Sequence, residues 1–471
     1  MEAKKDSRRS FLKKSALATA GFTIVPRHVL GKGFRAPSDT LYLAGIGVGG
    51  KGFSDLAECA KSDAVKIVSL CDVDDKRGLR AMKEWAGVPY YKDYRKMLEE
   101  ETSIDAVTIS TPDHMHAIQA MAAMEKGKHV YVQKPLTHDI AEARQLTEAA
   151  HQYKVVTQMG NQGASGDGVR KMQEWYNAGL IGDVTEVWCW TDRPVWPQGI
   201  PWPSERKTAI PKELDWDLWL GTAPKKDYID NLVPFNWRGW WDYGTGALGD
   251  MACHIIEPAF KTLDLGYPIS VEASVGSVYV GEFRRGYFPE SCPPSSHIIL
   301  EFPERTGKSA VKLHWMDGGI QPARPEGLEA NERMGGGGNG VVMKGSEGMM
   351  MCDVYGMNPK LIPTALTDDI NVPESLARVP EGHYVQWVNA CMAGYGKNEL
   401  SSDFDFAGPL TESILMGNLA LRSFDIRKKD KNDRWQYPGR YIKLLWDGPN
   451  MKITNFDEAN QFVKREYRTG W

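Results

Sequence analysis

Between Leu41 and Asn161, short apolar runs alternate with stretches whose apolar residues recur every three to four positions. The runs LYLAGIG, VKIVSLCD, AVTIST, HVYVQK and VVTQMGN read as buried strands. The stretches KGFSDLAECAK, KRGLRAMKEWA, DHMHAIQAMAAMEKG and DIAEARQLTEAAHQY read as helices between them. Alternation at this spacing predicts βαβ units and a parallel sheet. Beyond Asn161 the rhythm changes. TEVWCWTD, ISVEASVGSVYV, SHIILEF and AVKLHWM read as strands without regular helices between them, which predicts a large, mostly antiparallel open sheet in a second, α+β domain.

One segment fits neither pattern. Residues 192–245 are rich in Pro and Gly and carry Trp196, Trp202, Trp216, Trp219, Trp237, Trp240 and Trp241. A loop this long is functional or disordered, and so many aromatics argue against disorder. Tryptophan faces stack on sugar rings, so Trp240, Trp241 and the nearby Tyr243 are candidate substrate contacts. For any single tryptophan the plainer expectation is that it fixes the insertion to the sheet.

The first strand-to-helix turn reads GIGVGGKG. Gly45, Gly47 and Gly50 fit G-x-G-x-x-G, where glycines permit a tight turn and let a pyrophosphate approach a helix N-terminus. The next strand ends in Asp72, 22 residues after Gly50, where an acid meets adenosine ribose hydroxyls. The expectation is a Rossmann dinucleotide-binding domain at 36–160, followed by an α+β substrate and oligomerisation domain at 161–471. An acid at 72 favours NAD by repelling a 2′-phosphate; Lys76 and Arg77 lie close enough to keep NADP in view.

Three further motifs carry chemistry. YVQKPLTHDIAEA ends a strand in a lysine before a proline, STPDHMHA follows the preceding strand, and GALGDMACH opens a helix with Asp250 and His254 on one face. Together they resemble the glucose–fructose oxidoreductase, inositol dehydrogenase and rhizopine-catabolism family (Gfo/Idh/MocA). The ending REYRTGW is similar to a subset of such proteins. The resemblance implies that Thr111, Pro112, His116, Gln133 and Lys134 line the nicotinamide side of the cofactor, and that Asp250 and His254 are its D-x-x-x-H catalytic pair. It also implies a homo-oligomer through the C-terminal sheet. One position departs from it. The family usually has Glu-Lys-Pro, whereas this chain has Gln133-Lys134-Pro135. A carboxylate beside the lysine would favour its charged form; Gln133 brings no charge.

Those residues suit oxidation of a hydroxyl. His254 has the intrinsic pKa of a general base, Asp250 orients it or bonds a neighbouring hydroxyl, and Lys134 stabilises the developing alkoxide. The plain alternative for the helix alone is that Asp250 caps it and His254 is a satisfied interior residue. The function expected is an NAD(P)-dependent oxidoreductase acting on a sugar or glycoside. The alternatives are a glycoside hydrolase or lyase that oxidises a sugar carbon transiently and a dinucleotide-binding sensor without turnover.

Charge and composition narrow the partners. The net charge is −4, which gives no electrostatic case for nucleic acid or a membrane surface. The seven scattered cysteines lack C-x-x-C, and the ten histidines show no metal-ligand spacing. RMGGGGNGVVMKGSEG lacks the G-K-[ST] ending of a phosphate loop and reads as a turn between strands. The first 35 residues read as a segment apart from the fold. They hold S-R-R-x-F-L-K around Arg8 and Arg9, then a short apolar run, which looks like a twin-arginine export signal and implies a periplasmic protein. An exported protein meets little free dinucleotide, so a tightly held, internally recycled cofactor is expected.

Overall fold

The computed structural model describes residues 39–471. Six strands come first: β1 (Leu41–Ile46), β2 (Val65–Cys71), β3 (Tyr90–Tyr91), β4 (Ala106–Ile109), β5 (His129–Val132) and β6 (Thr157–Met159). All pair in parallel, in the order β3-β2-β1-β4-β5-β6. The crossovers contain α1 (Lys51–Cys59), α2 (Asp75–Glu84), α3 (Tyr94–Glu100), α4 (Asp113–Glu125) and α5 (Ile140–Tyr153). β4 is buried at all four residues, as a strand covered on both faces must be. Helix starts are fixed locally. Asp74 caps α2 through the Lys76 and Arg77 amides, and Asp139 with Glu142 forms a capping box on α5. The strand order reverses beside β1, which opens a crevice beyond the carboxyl ends of β1 and β4.

The chain continues through α6 (Asp167–Asn177), β7 (Val184–Trp190), α7 (Trp216–Leu220), α8 (Gly246–Leu263) and β8 (Ser270–Val275). A hairpin of β9 (Tyr279–Gly281) and β10 (Arg284–Arg285) precedes β11 (Ser296–Phe302), β12 (Val311–Met316), β13 (Gly340–Gly345), β14 (Met349–Cys352) and β15 (Lys360–Ile362). Helices α9 (Gly382–Ala393) and α10 (Phe404–Ser423) follow, then a small hairpin of β16 (Lys428–Lys429) and β17 (Trp435–Gln436), and finally β18 (Leu444–Asp447) and β19 (Lys452–Ile453). The second sheet is nine-stranded, in the order β15-β14-β13-β7-β12-β11-β8-β18-β19.

It is mixed rather than purely antiparallel, because β7 and β12 run parallel while every other neighbouring pair is antiparallel. The long excursion through the insertion and α8 lets the chain re-enter the sheet in the same direction. Along β11, Ile298, Leu300 and Phe302 point into the core while His297, Ile299 and Glu301 face outward. The segment expected as one long strand, ISVEASVGSVYV, is two. β8 ends at Val275, where a side chain on Gly276 would strike Ser295, and β9 leaves the sheet for its own hairpin. The glycine-rich segment does form a turn into β13, with Gly335, Gly337 and Gly338 at positive φ.

One apolar core runs from β4 and β5 through α8 and α10 to β11 and β12. α10 is buried at every position from Leu410 to Leu421 and packs on both α5 and α8, joining the two sheets' helical layers. α9, late in the chain, returns to cover α1, with Trp387 and Val388 in the core of the first sheet's other face. The insertion has its own core, in which Trp216 stacks on Trp219 with centroids 4.8 Å apart, alongside Leu214, Trp237, Trp240 and Tyr243.

Candidate active site

A cavity of about 500 Å³ lies beyond the carboxyl ends of β1, β2, β4 and β5, walled on its far side by the start of α8 and by the insertion. Its cradle begins at the first turn. β1 ends at Ile46 and α1 begins at Lys51, so the glycines that matter are Gly47, Gly49 and Gly52. Gly47 has φ +75°, and a Cβ there would lie 2.8 Å from the Ser110 carbonyl oxygen. A Cβ on Gly52 would sit inside the Gly47 carbonyl oxygen. That is the strand–helix contact a fingerprint's third glycine permits. The fingerprint therefore lies two residues downstream of the expected Gly45, Gly47 and Gly50. Gly45 is inside β1, packed on Leu56, and does not line the cavity. Gly50 does not line it either, though its φ of +52° helps bend the turn.

Asp72 stands at the end of β2, as expected. Its carboxylate accepts from the amides of Val48 and Gly49, each at 3.0 Å, and of Asp74 at 3.0 Å. Burial pushes its carboxyl up to about 6, and those amides offset part of the rise. Thr111 and Pro112, after β4, line the cavity, whereas His116 does not. His116 is buried between the Thr111 and Pro135 carbonyls, at 2.8 Å from each, and so pins two strand ends together. These shapes fit a dinucleotide: side-chain-free turn residues beneath a phosphate path, and a carboxylate where a ribose would sit.

At the cavity's other end, Lys134 Nζ donates to Asp250 Oδ1 at 2.8 Å and to the Asp250 carbonyl at 2.7 Å. Arg238 Nε donates to the same Oδ1 at 3.1 Å. Burial alone would raise the Asp250 carboxyl, but Lys134 and Arg238 hold it down at about 2. Asp250 is the fifth residue of α8 and binds side chains, so it does not cap the helix. His254, one turn on, is buried, and its Nδ1 has no hydrogen-bond partner among the described residues, so it is not a satisfied interior histidine. Burial first and Lys134 second hold it well below the ordinary histidine pKa, against the pull of Asp250. The result is a neutral imidazole beside an ion cluster carrying two cations and one carboxylate.

Gln133 replaces a carboxylate, yet one stands behind it. Its Nε2 donates to Asp55 Oδ2 at 2.9 Å, and Ser110, Lys51 and Tyr384 also donate to that fully buried carboxylate. Lys51 lines the cavity, and Tyr384 comes from α9.

The candidate substrate contacts are placed elsewhere. Trp240 and Tyr243 are buried in the insertion's core and Trp241 in the main core, and none of the three lines this cavity. Trp219 and Trp237 line it instead. Arg238 and Tyr355 are also missing from the expected set. Tyr355 has φ +65°, and its ring lies edge-on to His254 with centroids 4.7 Å apart. No spacing rule points to either. Arg238 lies in NWRGWWD, where aromatics dominate, and Tyr355 in an irregular loop.

The insertion also clamps the edge of the cavity beside Asp72. Asp215 N donates to the Val73 carbonyl at 2.9 Å, Asp75 N to the Glu213 carbonyl at 3.1 Å, and Lys92 Nζ to that same carbonyl at 2.7 Å. Trp471 reaches the same edge of the cavity, its ring 4.3 Å from the Arg95 guanidinium.

Comparison with known proteins identifies the domains of the chain. Residues 43–161 match the Gfo/Idh/MocA oxidoreductase family's NAD-binding Rossmann fold, and residues 196–288 match its C-terminal alpha/beta domain. The chain thus carries Gfo/Idh/MocA oxidoreductase domains, the first of them NAD-binding. It is similar to glycosyl hydrolase family 109 protein 1 of Shewanella sp. (strain ANA-3), 33% identical over 168 residues, covering 30% of this chain and 36% of that one. The match spans about a third of that relative's length. In fold it resembles the WlbA dehydrogenase from Bordetella pertussis in complex with NADH and UDP-GlcNAcA, with a TM-score of 0.52 at 16% identity over 80% of this chain and 94% of that one. It also resembles levoglucosan dehydrogenase in complex with NADH, with a TM-score of 0.52 at 15% identity over 81% and 98%.

Proposed function

We propose that the protein is an NAD-dependent enzyme that oxidises one hydroxyl-bearing carbon of a sugar or glycoside, with a cofactor held through the catalytic cycle. The observation that carries this reading is the convergence of Lys134, Asp250 and His254 on the cavity that also contains the Gly47 turn. NAD, when bound, supplies the acceptor for the hydride. Gly47 and Gly49 give the pyrophosphate room, and Asp72 meets the adenosine ribose. His254, neutral at physiological pH, takes the hydroxyl proton. Lys134 donates to the same oxygen as negative charge develops on it, and Arg238 keeps Asp250 ionised so that the lysine stays oriented. Trp219 and Trp237 offer ring faces for the sugar.

The clamp of residues 213–215 on Val73–Asp75, with Trp471 beside it, supports tight retention of the cofactor. Export by a twin-arginine signal, a periplasmic location and a homo-oligomer built through the second sheet belong to the same proposal. A second reading has its own support, since the curated relative is named as a glycosyl hydrolase. There the same oxidation would acidify the neighbouring C–H, a base would take that proton as the aglycone leaves with the bonding pair of the glycosidic bond, water would add to the enone so formed, and the hydride would return to the carbonyl carbon.

The test is to purify and dialyse the protein without nucleotide and measure its NAD content. It is then given sugars and aryl glycosides while cofactor absorbance and released aglycone are followed together. Retained NAD with an absorbance change and no aglycone supports the first reading. Aglycone release without net absorbance change supports the second. Protein that emerges empty and consumes free NAD stoichiometrically refutes internal recycling.

A further inference from the structure

Residues 237–241 form a partition. Trp237 and Arg238 line the cavity described above, and Trp241 lines a second one of about 400 Å³. This second cavity is bounded by β10 and the turn after it, by the last turn of α10 with the residues that follow, and by Phe462. Its volume is that of an ordinary small-molecule site.

Three guanidinium groups surround it, none of them in a close ion pair among the described residues. The side chain of Arg422, in the last turn of α10, makes no hydrogen bond or ion pair among the described residues. Phe462 and Trp241 flank it, with rings 4.3 Å and 5.8 Å from its guanidinium carbon, and the carboxylates of Asp242 and Asp139 act on its charge from farther off. Arg427 lies 3.6 Å from the Tyr287 ring and 4.1 Å from that of Trp435, likewise with no carboxylate partner among the described residues. Arg285 gives one Nη to the Val275 carbonyl at 3.4 Å, and its Nε is buried without a partner. The one carboxylate in the lining, Asp425, is 3.6 Å from a fourth arginine, Arg440, and lies near enough to Arg285 and Arg427 that all three pull its pKa down against burial. Taking unpaired cations out of water is costly. A planar guanidinium with free donors matches a carboxylate or phosphate in two-point fashion.

We propose that this second cavity binds an oxyanion carried on a sugar ring, with the anion on Arg422, Arg427 and Arg285 and the ring against the half-buried Phe462. A uronate and a sugar phosphate share this chemistry. The anion half stands on the arginines alone; the sugar half rests on the proposed function. Because Trp241 is continuous with Arg238, an occupant would press on the segment that holds Asp250.

Calorimetric titration of the full chain with glucuronate, glucose 6-phosphate, inorganic phosphate and glucose tests it, comparing the protein with Arg422→Gln and with the more peripheral Arg427→Gln. Thermal melts establish that each variant is folded. The expected result is that glucuronate or glucose 6-phosphate binds, that binding weakens at least tenfold in both variants, and that glucose does not bind. The proposal is overturned if neither anionic sugar binds, if binding is unchanged in both variants, or if glucose binds equally well. Inorganic phosphate binding as tightly as both anionic sugars overturns the sugar half and leaves the active-site reading untouched. A dimer that dissociates in Arg422→Gln overturns the proposal too, by assigning the cavity to an interface between copies. Binding is read without turnover, so failure here is distinct from failure of the proposed reaction.

Discussion

Lys134 Nζ lies 2.8 Å from Asp250 Oδ1, although 116 residues separate the two in the chain. The lysine lies two residues past the end of β5, the aspartate is in the second turn of α8, and their contact ties the dinucleotide-binding sheet to the helix that carries His254. The same carboxylate oxygen receives Arg238, so two cations converge on one carboxylate at this end of the cavity.

Lys134→Ala and His254→Ala are each expected to lower kcat by about two orders of magnitude or more, the scale of a positioned acid–base group. Bound NAD should remain in both variants, because the turn at Gly47 and Asp72 is untouched. Turnover and NAD content are measured on the same preparations, and near-normal turnover in His254→Ala would reject it as the base.

The pH dependence follows from the direction of the His254 shift. A general base works unprotonated, and burial with Lys134 lowers this imidazole's pKa below the ordinary value of about 6.5. As pH falls from 8, the neutral form therefore persists past 6.5, and activity is lost only at lower pH. The acid limb of the kcat profile is expected below 6.5; a limb centred at or above that value contradicts the buried-base assignment.

Glycine replacements distinguish the two registers of the turn. Gly52→Ala drives a Cβ into the Gly47 carbonyl, which is backbone and cannot move aside, so it should cost cofactor binding at least tenfold. Gly45→Ala meets Leu56 Cδ1 at 2.6 Å, a side-chain end that can shift, and should cost less. Binding of NAD to refolded, cofactor-free protein measures both; equal losses would favour the upstream register.

Gln133→Glu places a second carboxylate against the buried Asp55. The pair must either take up a proton or lose roughly 3 kcal/mol, the scale of an uncompensated buried charge. The melting temperature should fall at neutral pH and recover in Gln133→Glu with Asp55→Asn, which restores one carboxylate and one amide. No recovery in the double variant would mean that Asp55 does not act through Gln133.

Export is the remaining prediction, and its residues lie outside those described. Arg8→Lys with Arg9→Lys should leave a folded protein in the cytoplasm, since the twin-arginine pathway reads the pair itself. Fractionation that finds the variant still periplasmic would remove the export signal from the proposal.

The sequence by itself determined the strand and helix alternation of the first half, the acid at the end of β2, and the strand-end positions of Thr111, Gln133 and Lys134. Those are local properties. Burial period, capping residues and the distance from a glycine turn to the next strand end are written within a few tens of residues. Tertiary structure decided what local pattern cannot carry. Gly45 and Gly47 are equally good glycines on paper, and only the point where β1 stops and α1 starts selects Gly47, Gly49 and Gly52. Trp240, Trp241 and Tyr243 read as exposed ring faces, but the insertion's own core takes in Trp240 and Tyr243 and the main core takes in Trp241, leaving Trp219 and Trp237 at the cavity. Arg238, Asp55 and Tyr355 reach the site through contacts with Asp250, Gln133 and His254 that lie 12 or more residues away in the chain. Periodicity records which face of an element is buried, not what it is buried against, so these partners were fixed only when the two sheets closed on a common core.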